Sequence, residues 1–210
     1  MSTLYFDSET TGLPAKGVPP GSPVHPHIVQ LGAMLVNDEG RVVSEINLLV
    51  KPDHWGVPDE AAKVHGITTA MCEQYGLPIK SVITLFGRLV QRSSLLVAHN
   101  FEFDKMMVWT ELLRTESANE LAAFLGAPSF CTMEASTPIL NLPPSQRMIA
   151  AGFNRPKNPN LGEAYRFFTG KEFVGAHDAY ADVVACRAVH AGILAWQAKQ
   201  ANQPLVLDEV

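Results

Sequence analysis

Phe6-Asp7-Ser8-Glu9-Thr10-Thr11-Gly12 decides how this chain is read. The stretch closes an apolar run, Leu4-Tyr5-Phe6, that reads as a short buried strand. Strand side chains two apart point the same way, so Asp7 and Glu9 share a face while Ser8 points away. Two carboxylates that close repel each other, and each loses hydration when the site is covered. A fold keeps such a pair when a divalent cation neutralises it, or when the two divide acid and base work. An Asp-x-Glu alone is more often a pair of solvated acids at a strand end. Here Thr10-Thr11-Gly12 follows at once, supplying backbone N–H groups and a flexible turn that can approach a phosphate. The pair reads as a metal site with a substrate-binding turn attached.

Beyond it, Pro14 to Pro26 holds five prolines and two glycines, a loop too broken for regular structure. Ile28 to Val36 reads as a strand, Asn37-Asp38-Glu39-Gly40 as a turn and Val42 to Val50 as the returning strand of a hairpin. Short helical pieces are expected over Val57 to Tyr75. Ile79, Val82, Ile83, Phe86, Leu89 and Val90 then form a helical stripe. Ser94 to Ala98 reads as a buried strand, followed by a helix over Phe101 to Arg114 with Asn100 as its N-cap. A short strand is expected near Phe130-Cys131, a loop over Pro138 to Asn160, a brief helix over Leu161 to Phe168 and a closing helix from about Asp178 to Ala201. Strands first, then strand and helix alternating, describe a mixed sheet flanked by helices.

The closing helix carries an anomaly. Asp182 shares a stripe with Cys186, Val189, Ile193 and Trp196, and a carboxylate on a buried face is costly unless something pairs with it. His177 sits just outside that helix, with Asp178 as its N-cap. Asp104 stands one turn into the helix that follows a buried strand, near the edge where open α/β sheets build their sites. Asp7, Glu9, Asp104 and Asp182 offer oxygen ligands that suit Mg²⁺ or Mn²⁺ rather than zinc. Two such ions roughly 4 Å apart clamp the attacking and leaving oxygens of a phosphodiester. An imidazole beside them could take the proton of the attacking water.

Composition sets the limits. The 47% hydrophobic and 18% charged content is that of an ordinary soluble protein. No run of about 18 apolar residues is present to span a membrane, and no signal peptide is read at the start, so the cytoplasm is the expected compartment. Cys72, Cys131 and Cys186 are widely spaced, against both a disulfide framework and a zinc knuckle. A net charge of −5 argues against coating nucleic acid by electrostatics alone, but not against gripping a few phosphates through metal ions and amides.

The ordered motifs resemble those of the DnaQ-like 3′–5′ exonucleases, in the branch with an Asp-Glu-Asp-Asp and histidine signature. Residues 6–13 are similar to the family's first motif, 28–33 to the strand after it, and His65-Gly66-Ile67-Thr68 to its substrate-side segment. Residues 98–104 resemble the second motif and 176–182 the third. The resemblance implies an RNase H-like α/β fold, a mixed five-stranded sheet with helices on both faces, here one exonuclease domain over 1–202 and a tail over 203–210. It implies that Asp7, Glu9 and Asp182 touch metal directly, that Asp104 holds a second ion and that His177 is the general base. Thr10, Thr11, Gly12 and Leu13 would seat the terminal nucleotide, with His65, His99, Asn100 and Phe103 lining its pocket. The implied partner is a 3′ end of single-stranded or frayed nucleic acid, DNA favoured over RNA, cut to nucleoside 5′-monophosphates.

Two rivals come from other classes. An aspartyl-phosphate phosphatase would use Asp7 as nucleophile, but its second acid and downstream lysine are not evident. A non-catalytic subunit binding a polymerase or nucleic acid would be marked by a lost ligand, and none of the five residues is missing. Gln203 to Leu207 faintly resembles a sliding-clamp peptide. Arg155 and Lys157 are read as solvated loop charges.

Overall fold

The computed structural model describes residues 2–202. The tail, with its clamp-like peptide, lies outside the described residues. The hydrophobic run beginning at Thr3 forms β1 (Thr3–Thr10), the spine of the sheet. It pairs antiparallel with β2 (Ile28–Val36), which pairs with β3 (Val42–Lys51), the anticipated hairpin. On its other side β1 runs parallel to β5 (Leu95–Ala98), and β5 to β6 (Ser129–Cys131).

A sixth strand corrects the expectation of five. β4 (Leu77–Pro78) pairs with Val50 and Lys51 at the sheet edge, giving the order β4-β3-β2-β1-β5-β6. Two residues ending in proline carry no alternation to read, and proline is tolerated only at such an edge. The fold class is otherwise as expected, α/β with helices on both faces.

Alternation in β1 divides the core. Leu4 and Phe6, with Leu31, Ala33 and Leu35, pack under α3 (Ile79–Val90), α4 (Phe101–Arg114) and α5 (Ala118–Gly126). Phe6 meets Phe86, Phe101 and Phe124 with ring centroids 5.3, 5.7 and 6.1 Å away. Tyr5, Met34, Val36 and Val97 face the other way, onto Val183 and Cys186 of α9 (Ala179–Ala201). α6 (Thr132–Leu140) and α8 (Leu161–Thr169) cover the outer side of α9. The segments α1 (Asp59–His65) and α2 (Thr69–Tyr75) link β3 to β4, and α7 (Gln146–Ala150) is a single short turn of helix.

The expected loop over 138–160 is therefore partly helical. α6 runs two residues past Pro138, which leaves the Glu134 carbonyl without its helical N–H yet does not end the helix, and α7 lies inside the same span. Trp196 departs from its stripe: it is 39% exposed, because the last turns of α9 outrun the sheet. No helix among the described residues is long and apolar enough to cross a membrane.

Candidate active site

Asp7 and Glu9 leave β1 on the α9 side, at the end of the strand where the chain turns through Thr11. The fold carries the other two acids to the same place from opposite sides of the sheet. Ser8, pointing to the α4 side, donates both its backbone N–H (2.9 Å) and its hydroxyl (2.7 Å) to Oδ1 of Asp104. From the α9 side, ligand atoms of Glu9, His177 and Asp182 all lie within 4.8 Å of one another.

This crowding shows in the titration of the acids. Burial, then the charges of Asp104, Asp182 and Glu9, hold Asp7 well above the usual carboxylate range. Burial, then Asp182 and Asp178, push Glu9 up to about 7. Burial raises Asp104 to about 7 against the two Ser8 hydrogen bonds, which favour its charged form. Asp182 is raised to about 6, again chiefly by burial, with the neighbouring His177 pulling it down. One oxygen of Asp182 is buried without a hydrogen-bond partner. Repelling acids with an orphaned oxygen are what a divalent cation would relieve, so the donor set fits one.

His177 adopts a left-handed backbone (φ 69°), directly before the N-cap of α9. That cap is Asp178, as expected, accepting from the Ala181 N–H at 2.9 Å. Its other carboxylate oxygen accepts from Gln30 Nε2 (3.0 Å), while Gln30 Oε1 accepts from the Ala179 N–H (3.0 Å) and Gln30 Nε2 also donates to Asn47 (2.8 Å). A Cβ on Gly32 would stand 2.7 Å from the Ala179 carbonyl carbon, so α9 begins in direct contact with β2.

The remaining sequence-based residues fall into two groups. Thr10 and Thr11 build the turn: Thr10 Oγ1 donates to the Gly12 carbonyl (2.7 Å), and Thr11 exchanges two bonds with His27. Nothing lies within 4 Å of where a Gly12 Cβ would stand, and Leu13 is 83% exposed. His65 ends α1, its Nδ1 accepting from the Ile67 N–H and its buried Nε2 unpartnered; burial lowers its pKa and the Thr10 backbone opposes this. His99, by contrast, has both ring nitrogens engaged, with Thr132 (2.9 Å) and the Pro159 carbonyl (3.1 Å). Phe103 packs partly buried against the main core. Asn100 occupies the N-cap position of α4 as expected, but in a left-handed conformation (φ 65°) and without a side-chain capping bond. Lys157 pairs with Glu163 (2.6 Å), and Arg155 is exposed. Sequence reasoning misses Ser8 and Gln30 as partners of the acids, although Ser8's place on the opposite face of β1 is visible in the alternation.

The sequence profile of the RNase_T exonuclease family matches residues 4–189, and the chain belongs to that family. No curated protein matches it in sequence. Among solved structures it is similar to E. coli Exonuclease I in complex with a dT13 oligonucleotide, at 19% identity and a TM-score of 0.69, covering 95% of this chain and 42% of that one. A moderately thermophilic Exonuclease I from Methylocaldum szegediense is alike at 20% identity and 0.69, covering 96% and 41%. The zinc-bound E. coli ExoI–ssDNA complex gives 17% and 0.68, covering 95% and 41%. The chain thus spans about two fifths of these structures' length, and the likeness is one of fold.

Proposed function

We propose that this chain is a divalent-metal-dependent 3′–5′ exonuclease that shortens single-stranded or frayed ends, DNA before RNA, and releases nucleoside 5′-monophosphates. The observation that carries this reading is the convergence of Asp7, Glu9, Asp104 and Asp182 with His177 at the end of β1, in a chain of the exonuclease family. Asp7, Glu9 and Asp182 would hold one Mg²⁺ or Mn²⁺, and Asp104 would serve the second. When bound, such ions neutralise the phosphodiester and make water a better nucleophile.

The chain's own groups do the rest. His177 accepts the proton of the attacking water, as a positioned imidazole can. Ser8 holds Asp104 in one rotamer by its two bonds. The Thr11 amide is spent on the His27 carbonyl, so the turn meets the terminal phosphate from its Gly12 end; the fold itself does not demand glycine at 12, so the open space there serves the approach of substrate backbone. Exposed Leu13 and the half-buried Phe103 contact the terminal base or sugar, and His65 and Asn100 border them. His99 acts from behind by fixing the 159 loop. A terminal nucleotide must leave its stack to enter, which favours single strands.

The test follows 5′-labelled single-stranded DNA and RNA with Mg²⁺, Mn²⁺ or EDTA, beside Asp7→Ala. A metal-dependent ladder shortening from the 3′ end, absent in the variant, is expected. Faster RNA cleavage would reassign the substrate to RNA trimming. Intact oligonucleotide in every lane would replace catalysis by a binding role.

A further inference from the structure

The proline-rich segment after Leu13 has no part in that reading, yet the structure builds a chamber with it. Arg114, at the end of α4, donates to the main-chain carbonyls of Ser22 (2.9 Å), His25 (2.7 Å) and Pro26 (3.0 Å). The segment so held closes a cavity of about 670 Å³ against the residues after β3 and the start of α3. Its lining includes His27, Trp55, Pro52, Ile79, Lys51 and Lys80. Sites for small ligands span roughly 300–1,000 Å³ and are mostly apolar with a few polar groups.

Two features narrow what would fit. The His27 and Trp55 rings stack on one another, centroids 5.0 Å apart and planes 6° from parallel, and the His54 ring meets His27 edge-on at 5.5 Å, an aromatic stack that a further ring can extend. The acids at the cavity are already compensated: buried Glu111 pairs with Arg114 (2.9 Å), which also donates to the His27 Nδ1 (3.2 Å), and Asp53 pairs with His54. Lys51 and Lys80 make no ion pair or side-chain hydrogen bond among the described residues. Two uncompensated cations therefore border an apolar chamber in a chain of net charge −5. Flat aromatic surface beside ammonium groups suits a planar ring that carries an anion.

We propose that this cavity is a second nucleotide site, with the base against the His27–Trp55 stack and the phosphate at Lys51 and Lys80. Its position supports the choice: Thr11 donates its N–H to the His27 carbonyl and accepts from the His27 N–H, so the turn beside the acids is bonded directly to a residue of the cavity lining. That the ring is a nucleobase rests on the exonuclease reading; the cavity's chemistry does not. The nucleotide has two sources, a released nucleoside 5′-monophosphate or an upstream residue of the strand.

The test uses Asp7→Ala protein in EDTA, which removes turnover and metal-held binding, so its result is independent of whether the chain is a nuclease. Calorimetric titration compares dTMP, thymidine and a thymidine tetranucleotide, with and without Lys51→Glu/Lys80→Glu. These surface changes leave the core untouched. Saturable dTMP binding, weakened at least about tenfold in the lysine variant and for thymidine, is the expected result. A tetranucleotide that binds more tightly through the same lysines assigns the site to the strand, and equal affinity assigns it to the product. No binding at millimolar dTMP, thymidine binding as well as dTMP, or indifference to the lysine changes would each overturn the proposal.

Discussion

Gln30 and Asp178, 148 positions apart, are joined by a 3.0 Å hydrogen bond that ties β2 to the N-cap of α9, one residue after His177. Gln30 is 5% exposed and donates to Asp178 while accepting from Ala179, so its amide orientation is set by both. Gln30→Glu would keep the acceptor, lose the donor and set two carboxylates face to face. We expect turnover to fall about tenfold or more, with a smaller change in KM. Adding Asp178→Asn restores a donor on the other side of the pair, and turnover should recover. An unrescued double variant would reduce Gln30 to a purely structural part.

His177→Ala separates a proton acceptor from a metal ligand, because its ring lies within reach of Glu9 and Asp182. As a general base, its loss should cost roughly 10²–10⁴-fold in turnover and leave Mn²⁺ affinity little changed. Turnover at the original rate across neutral pH would end the assignment, and a parallel loss of Mn²⁺ binding would make His177 a ligand.

Without metal, the acids should govern stability. Asp104 titrates at about 7 in the fold against 3.8 as a free group, and Glu9 and Asp182 move the same way. A carboxylate with a raised folded pKa contributes its stability in full below the unfolded value and loses it as pH rises through the folded one. Each tenfold change in a group's proton affinity between the two states is worth about 1.4 kcal/mol. The melting temperature in EDTA should therefore fall between pH 5 and pH 8, as thermal denaturation would show. Mn²⁺ should reverse the fall at pH 8, and Asp104→Asn should flatten it.

Two crowded glycines offer a matched pair. A Cβ at Gly32 would meet the Ala179 backbone at 2.7 Å, and one at Gly192 would meet Phe168 at 2.5 Å, on the outer side of α9. Each alanine variant should lose about 1–3 kcal/mol in denaturant unfolding. Only Gly32→Ala should also lower turnover in the folded population, since it displaces the helix start that carries His177 and Asp182.

The legible parts of the chain are those with strong local patterning. Asp7 and Glu9 share their face because a strand allows nothing else, the hairpin is marked by a continuous apolar strand and a turn, and α3 carries an unbroken helical period. The end of α9 is harder to read, since Trp196 continues the stripe where no sheet remains to bury it. α5 escapes notice because its short stripe has one buried anchor, Phe124, and α6 because Pro138 reads as a breaker. The ties that place the acids, Ser8 to Asp104 and Gln30 to Asp178, span 96 and 148 positions, and no local pattern reports such contacts.

Arg114 grips the proline-rich segment by the carbonyl oxygens of Ser22, His25 and Pro26, and meets the His27 ring just beyond it. At those three carbonyls the hold is blind to which side chains are present. Exposed side chains along this rim can be exchanged without loosening the anchor, as long as His25 remains to bond the Val18 and Pro19 carbonyls from inside, which leaves the segment free to vary in what it presents while the scaffold beneath it stays constant.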